Sequence, residues 1–258
     1  MADGPLPLEG RVALVTGAGR GIGRAAAIAL ADAGASVMAV SRTVEELTTI
    51  QHPRVTTFAT SLATAQGCHA AVHETAEQLG PVDVLINNAG IGSSDERPVW
   101  QQDSARWHAS MAINLHAAFE LIRLTSAGMV SRGWGRIVVV SSTAGLVGEA
   151  SQTAYVAAKH GVIGLVRGAA LDLAPYSVTC NAVCPGWVRT EMAETSARVT
   201  AEREGITPDQ VWEQRNKGYA AGRVVAIEEV VAAILFLASP PASGISGEAV
   251  TVALGDPW

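Results

Sequence analysis

The feature that most constrains this chain is an alternation. Short, wholly apolar runs are separated by longer stretches with helical periodicity. "RVALVTG" (11–17) is apolar up to its closing glycine, and "IGRAAAIALADAG" (22–34) is an Ala/Leu helix ended by Gly34. The pattern recurs with strands at 36–41, 54–61, 82–90, 135–142, 177–186 and 248–254, and helices at 65–80, 104–133, 153–175 and 226–239. A strand that is apolar on both faces must be covered on both, and an intervening helix makes successive strands parallel. The expectation is an α/β fold: one doubly wound, Rossmann-type parallel sheet of about seven strands in a single domain, 1–258, with ligands at the carboxyl ends of the strands. One segment departs. Residues 190–222 are polar, charged and strand-free, and are expected to form a lid or binding loop over the site.

Composition narrows the function classes. At 48% hydrophobic and 16% charged residues, the 258-residue chain is globular rather than disordered. Its net charge is −6 and no Lys/Arg run stands out, so no nucleic-acid partner is expected. Any anionic ligand must be held by local groups. Three unevenly spaced cysteines, Cys68, Cys180 and Cys184, argue for a reducing compartment rather than a disulfide framework. The N-terminus lacks the pattern of a signal peptide and no apolar run reaches membrane-span length, so a cytoplasmic protein without membrane attachment is expected. No metal is expected either: no histidine lies beside Cys180 and Cys184, and His69 and His73 have no evident third ligand.

The first strand runs into "TGAGRGIGR", with Gly17, Gly19, Gly21 and Gly23. A glycine turn between a first strand and a helix lets backbone N–H groups approach a pyrophosphate at the helix N-terminus. Ile22 stands where the third glycine of the common spacing falls. At the end of the second strand, where an acidic residue suits NAD and a basic one NADP, "AVSRT" offers Ser41 and Arg42, with no carboxylate until Glu45. Arg20 is a second cation on the same side. Two arginines suit a 2′-phosphate, so NADP(H) is favoured over NAD(H).

Tyr155 and Lys159 are spaced i, i+4 and share a helix face. Ser142 ends the fifth strand, and Asn114 lies inside the helix before it, a poor position for a purely structural residue. Together, "TGAGRGIG", "NNAG", Asn114, Ser142, "YVAAK" and "PGWVRT" resemble, in order and spacing, the short-chain dehydrogenase/reductase family over almost the whole chain.

The resemblance implies roles. Ser142 polarises the substrate oxygen, Tyr155 transfers the proton, Lys159 holds the nicotinamide ribose and Asn114 fixes a water in a proton relay. The cofactor is lined by Gly17, Arg20, Gly21, Ile22, Gly23, Arg42, Asn88, Ala89, Gly90, Pro185, Gly186, Val188 and Thr190. Ser61 and Leu62 in "TSLAT" stand where the family usually has an acidic residue facing the adenine. Asn87 serves the strand-end backbone instead. Val147, Gly148, Trp187 and Met192 are placed near the substrate. The resemblance also implies a homotetramer built through the helices at 104–133 and 153–175.

The chemistry is consistent with those roles. Free tyrosine has a pKa of about 10, too high for acid–base work near neutrality. An ammonium about 4 Å away contributes roughly 4 kcal/mol at an effective dielectric of ~20. That predicts a hydroxyl acidified by roughly three pK units. The expected reaction moves a hydride between nicotinamide and a ketone or secondary alcohol. The 3-oxoacyl reductase-like and polyketide ketoreductase-like subgroup fits best, and the substrate is a small carbonyl or alcohol, free or thioester-linked. An NAD-dependent secondary-alcohol dehydrogenase is the nearest alternative. A dinucleotide-binding sensor without turnover is the alternative of another class; the complete Ser142–Tyr155–Lys159–Asn114 set argues against it.

Overall fold

The computed structural model describes residues 6–92 and 97–255. Seven strands form one parallel sheet: β1 (Val12–Thr16), β2 (Ser36–Ser41), β3 (Val55–Ala59), β4 (Val84–Asn87), β5 (Gly135–Val140), β6 (Val178–Pro185) and β7 (Ala249–Val252). Their order is β3-β2-β1-β4-β5-β6-β7. The winding reverses beside β1, which pairs with β2 on one side and β4 on the other. A crevice opens at such a reversal, at the carboxyl ends of the strands.

The helices are α1 (Gly21–Asp32), α2 (Val44–Leu47), α3 (Ala65–Gln78), α4 (Ser104–Met111), α5 (Ala117–Arg132), α6 (Thr153–Leu173), α7 (Glu191–Glu204), α8 (Pro208–Gly218) and α9 (Ile227–Ala238). Alternation along each strand sends its side chains into two separate layers. Ala13 and Val15 pack with Ala27 and Leu30 of α1 and Ile234 of α9. Leu14 points the other way, into a layer with Cys68 of α3, Leu121 and Met129 of α5, and Val162 and Val166 of α6. That two-sided burial is what the unbroken apolar strands demanded.

One segment differs from the sequence expectation, and another gains detail. The helix at 104–133 is not continuous: a π-helical turn, Ala112–His116, separates α4 from α5. Asn114 sits in that turn, and its hydrogen bonds to another segment favour the wider winding. The polar stretch 190–222 is mostly helical. Thr190 caps α7, accepting from the Ala193 N–H at 3.4 Å, and Gly205 ends it in the left-handed conformation at φ 67°. Thr207 and Gln210 form a capping box at the start of α8, with Pro208 in its first turn.

Candidate active site

The glycine turn leaves β1 at Gly17, whose φ of +63° is left-handed. A Cβ there would lie 2.9 Å from the Ala89 Cα, and a Cβ on Gly23 would collide with the Gly17 carbonyl. No side chain caps the first turn of α1, whose N-cap residue is Arg20. A close-approach loop leading into an uncapped helix N-terminus fits a dinucleotide pyrophosphate. Thr16 and Asn88 brace this loop. The buried Thr16 hydroxyl accepts from the Asn88 and Ala89 N–H groups at 3.1 and 3.0 Å and donates to Asn87 Oδ1 at 3.1 Å. Asn88 Nδ2 donates to the Thr16 and Gly17 carbonyls at 3.1 and 3.2 Å. The Asn87 side chain thus meets the Thr16 hydroxyl rather than the strand-end backbone it was expected to serve. The part of Thr16 was missed, because a threonine closing a strand carries no signal beyond β-propensity.

The two expected phosphate cations do not stand alike. Arg42 is exposed at the end of β2 and has no ion-pair partner among the described residues. Arg20 is already committed, to Glu191 at the start of α7 and to Glu46 at 3.2 Å. The expected clamp of two available arginines is thus one available arginine and one held by carboxylates. Ser61 is exposed, whereas Leu62 is buried in the core and its carbonyl accepts from the Cys68 thiol at 3.6 Å.

The other group of residues gathers where β5 and β6 end beside α6. Ser142 caps a short 3₁₀ turn, its Oγ accepting from the Ala144 N–H at 3.1 Å. Its side chain is near enough to the Tyr155 hydroxyl to favour the ionised form. The Lys159 Nζ lies 5.5 Å from the Tyr155 ring centre and donates to the Val140 carbonyl at 2.9 Å. Asn114 is buried and comes close to Lys159 across Gly90: a Cβ on Gly90 would lie 2.7 Å from Asn114 Oδ1 and 3.7 Å from Lys159 Nζ. Asn114 pairs with the backbone of Ile91, accepting from its N–H and donating to its carbonyl, both at 3.0 Å. Its amide also donates to Ser110 Oγ at 3.0 Å. The four residues thus converge, although they come from three separate segments.

The electrostatics correct one expectation. Burial pushes the Tyr155 hydroxyl up to about 12, with the Ser142 side chain working against it. Burial also lowers Lys159 to about 8. The acidified tyrosine expected from the i, i+4 spacing is absent here, because the loss of water around the buried hydroxyl outweighs the Ser142 interaction that favours ionisation.

The "PG" turn after β6 is held by a residue that carried no signal in the sequence. The Tyr219 hydroxyl, from the end of α8, accepts from the Trp187 N–H at 2.6 Å, and Gly186 is glycine because a Cβ would strike that hydroxyl. Val188 is buried and bridges Val225. Thr190 faces the glycine turn, 3.4 Å from the place of a Cβ on Gly21. Trp187 stacks under Arg215, 3.6 Å from the guanidinium, and packs against α7 and α8. Val147 is half-buried and Gly148 exposed. Met192 lies against Gly92, 3.2 Å from the place of its Cβ.

Gly92 also lines a small cleft at Tyr155, together with Gln102, Arg106, Trp107 and Ser110. None of those four was expected at the site. Gln102 precedes α4, and Arg106, Trp107 and Ser110 lie on it; on a helix with polar and apolar residues interspersed those three read as an ordinary surface face, and only the packing of α4 against α6 places them there.

Comparison with known proteins agrees with this geometry. The family model described as short chain dehydrogenase matches residues 11–200. The chain is 36% identical to D-beta-hydroxybutyrate dehydrogenase of Cupriavidus necator, covering 93% of this chain and 95% of that protein. It is 35% identical to the 3-oxoacyl-[acyl-carrier-protein] reductase FabG of Vibrio cholerae, covering 95% and 96%. Among solved structures, a variant of actinorhodin polyketide ketoreductase with NADPH is similar at a TM-score of 0.89 and 31% identity, covering 95% of this chain and 96% of that one. Levodione reductase is similar at a TM-score of 0.91 and 30% identity, covering 96% and 98%.

Proposed function

The chain belongs to the short-chain dehydrogenase family and is an oxidoreductase; on that premise we propose that it is an NADP(H)-dependent reductase of 3-oxoacyl or related ketones. The observation that carries the catalytic part is the convergence of Ser142, Tyr155 and Lys159 beside a glycine turn shaped for a dinucleotide. When bound, the nicotinamide supplies or accepts the hydride. Reduction of a ketone leaves negative charge on its oxygen, and this chain's side chains deal with that charge. The Ser142 hydroxyl donates to the substrate oxygen, and the Tyr155 hydroxyl delivers the proton. The Lys159 ammonium stabilises the resulting tyrosinate, and Asn114 holds the Ile91 loop that walls this pocket.

The substrate class draws on three relatives. D-beta-hydroxybutyrate dehydrogenase, 3-oxoacyl-[acyl-carrier-protein] reductase and acetoacetyl-CoA reductase are all named for an oxygen at the 3-position of an acyl chain. A panel of 3-oxoacyl thioesters, free 3-oxo acids and cyclic ketones, run with both cofactors, tests the reading. The expected result is turnover of a 3-oxoacyl compound. Turnover of cyclic ketones alone overturns the substrate assignment, and tight cofactor binding without any turnover favours a sensor.

Arg42 supports the NADP(H) preference. Arg42→Ala is expected to weaken NADPH binding by about tenfold, the scale of one charge-assisted contact, and to leave NADH binding unchanged. We also read the protein as a cytoplasmic homotetramer. All three cysteines are buried free thiols, which suits a reducing compartment. No described helix is long and apolar enough to cross a membrane. Gly164 and Gly168 of α6 have open space above them, and Phe119 and Leu171 are exposed on α5 and α6. Gly161, earlier on the same helix, packs against Leu115 of its own chain.

A further inference from the structure

The strand end where NAD and NADP are told apart holds a carboxylate that the linear sequence hides. Glu46 lies five residues beyond Ser41, but the four-residue helix α2 folds it back. Its Oε2 accepts from Ser41 Oγ at 3.4 Å. A Cβ on Gly19 would lie 2.8 Å from the Glu46 Cβ and 2.9 Å from Ser41 Oγ, so the two side chains share the hollow over the glycine turn. Its Oε1 lies 3.2 Å from the Arg20 guanidinium. Arg42 directly follows Ser41 in the chain and is exposed.

This matters for charge. A phosphate on the 2′-oxygen of an adenosine ribose adds about two negative charges at this strand end, whereas a bare ribose adds none. Arg42 attracts that phosphate. Glu46 repels it and also occupies part of the charge of Arg20, which Glu191 engages too. Toward a bare ribose, the same carboxylate is a hydrogen-bond acceptor.

We propose that Glu46 is a cofactor-specificity residue that weakens binding of the 2′-phosphorylated dinucleotide relative to the unphosphorylated one. The proposal rests on the dinucleotide reading of the glycine turn. It is independent of which cofactor the native protein prefers. Arg42 and Glu46 then act in opposition, and the preference is their difference.

The test is direct binding. Dissociation constants for NADPH and NADH are measured by cofactor fluorescence for the native protein, Glu46→Gln and Glu45→Gln. Glu45 is the exposed neighbour on the same helix, so the second variant removes the same charge outside the hollow. Glu46→Gln is expected to improve NADPH binding relative to NADH by about tenfold at low salt, as for a charge several ångströms away in a partly exposed site. The gain should shrink as ionic strength rises. Glu45→Gln should leave the ratio unchanged. An unchanged ratio in Glu46→Gln, or an equal shift in both variants, overturns the proposal. Should Glu46→Gln fold poorly, as seen in its melting curve, Glu46→Ala replaces it with the same expectation. Failure of both cofactors to bind the native protein refutes the dinucleotide reading instead, so the two failures are distinguishable.

Discussion

At the scale of single residues, Tyr155 and Lys159 carry opposite burdens from the same burial. The tyrosine is pushed up to about 12 and the lysine down to about 8. A protonated tyrosine is the form that donates to a developing alkoxide, and a protonated lysine is the form that stabilises what remains. Below about 8 both protons are in place. As pH rises through the lysine's range, the ammonium is lost while the tyrosine stays protonated. The kcat/KM for ketone reduction should therefore be flat below about pH 8 and fall above it, and a pH–rate profile checks this. Tyr155→Phe removes the proton donor without removing the ring. Steady-state assays should show kcat lower by about 10² to 10⁴, while the dissociation constant for the dinucleotide stays close to native.

At the scale of elements, the π-helical turn between α4 and α5 joins fold and site. It places Asn114 so that one amide satisfies both backbone groups of Ile91 and reaches Ser110. A regular helix here would rotate every following side chain. Asn114→Leu keeps the volume but leaves the Ser110 hydroxyl and the Ile91 backbone without that partner. Urea denaturation should show a loss of about 1–3 kcal/mol. Activity should fall further than stability accounts for, because the Ile91 loop lines the cleft. The helices α7 and α8 show a different kind of surprise. Their caps, Thr190 and Thr207 with Gln210, were visible as letters, but their low hydrophobicity hid the helices. What they bury is a small separate cluster of Ala193, Ala197, Ala201, Val211 and Trp212.

At the scale of the whole molecule, the parallel sheet has edges at β3 and β7, and α5 and α6 cover one face. The exposed Phe119 and Leu171, with the bare glycines of α6, suit close packing of a second copy. Light scattering should give a mass of about four chains, the value the family resemblance implies. Leu171→Glu, at a position 79% exposed in the single chain, should lower that mass without lowering the helical signal of the protein. A single-chain mass for the native protein rejects the assembly.

The sequence by itself determined the sheet, its winding and the positions of the chemical residues. Apolar runs without alternation require burial on both faces, and a glycine turn after the first strand places a dinucleotide there. Tyr155 and Lys159 were nameable because tyrosine and lysine are scarce and the i, i+4 spacing puts them on one helix face, and Ser142 and Asn114 because the ordered motifs resemble a known family. Tertiary structure decided the rest, since it depends on which separate segments meet. Glu46 reaches the glycine turn only because α2 is a single turn long. Arg20 lost its freedom to a carboxylate 171 residues away. Arg106 and Trp107 entered the cleft because α4 leans on α6. The dominance of burial at Tyr155 is likewise a property of the packed interior. A spacing in the chain sets which groups can meet; the solvent they lose on meeting sets their protonation.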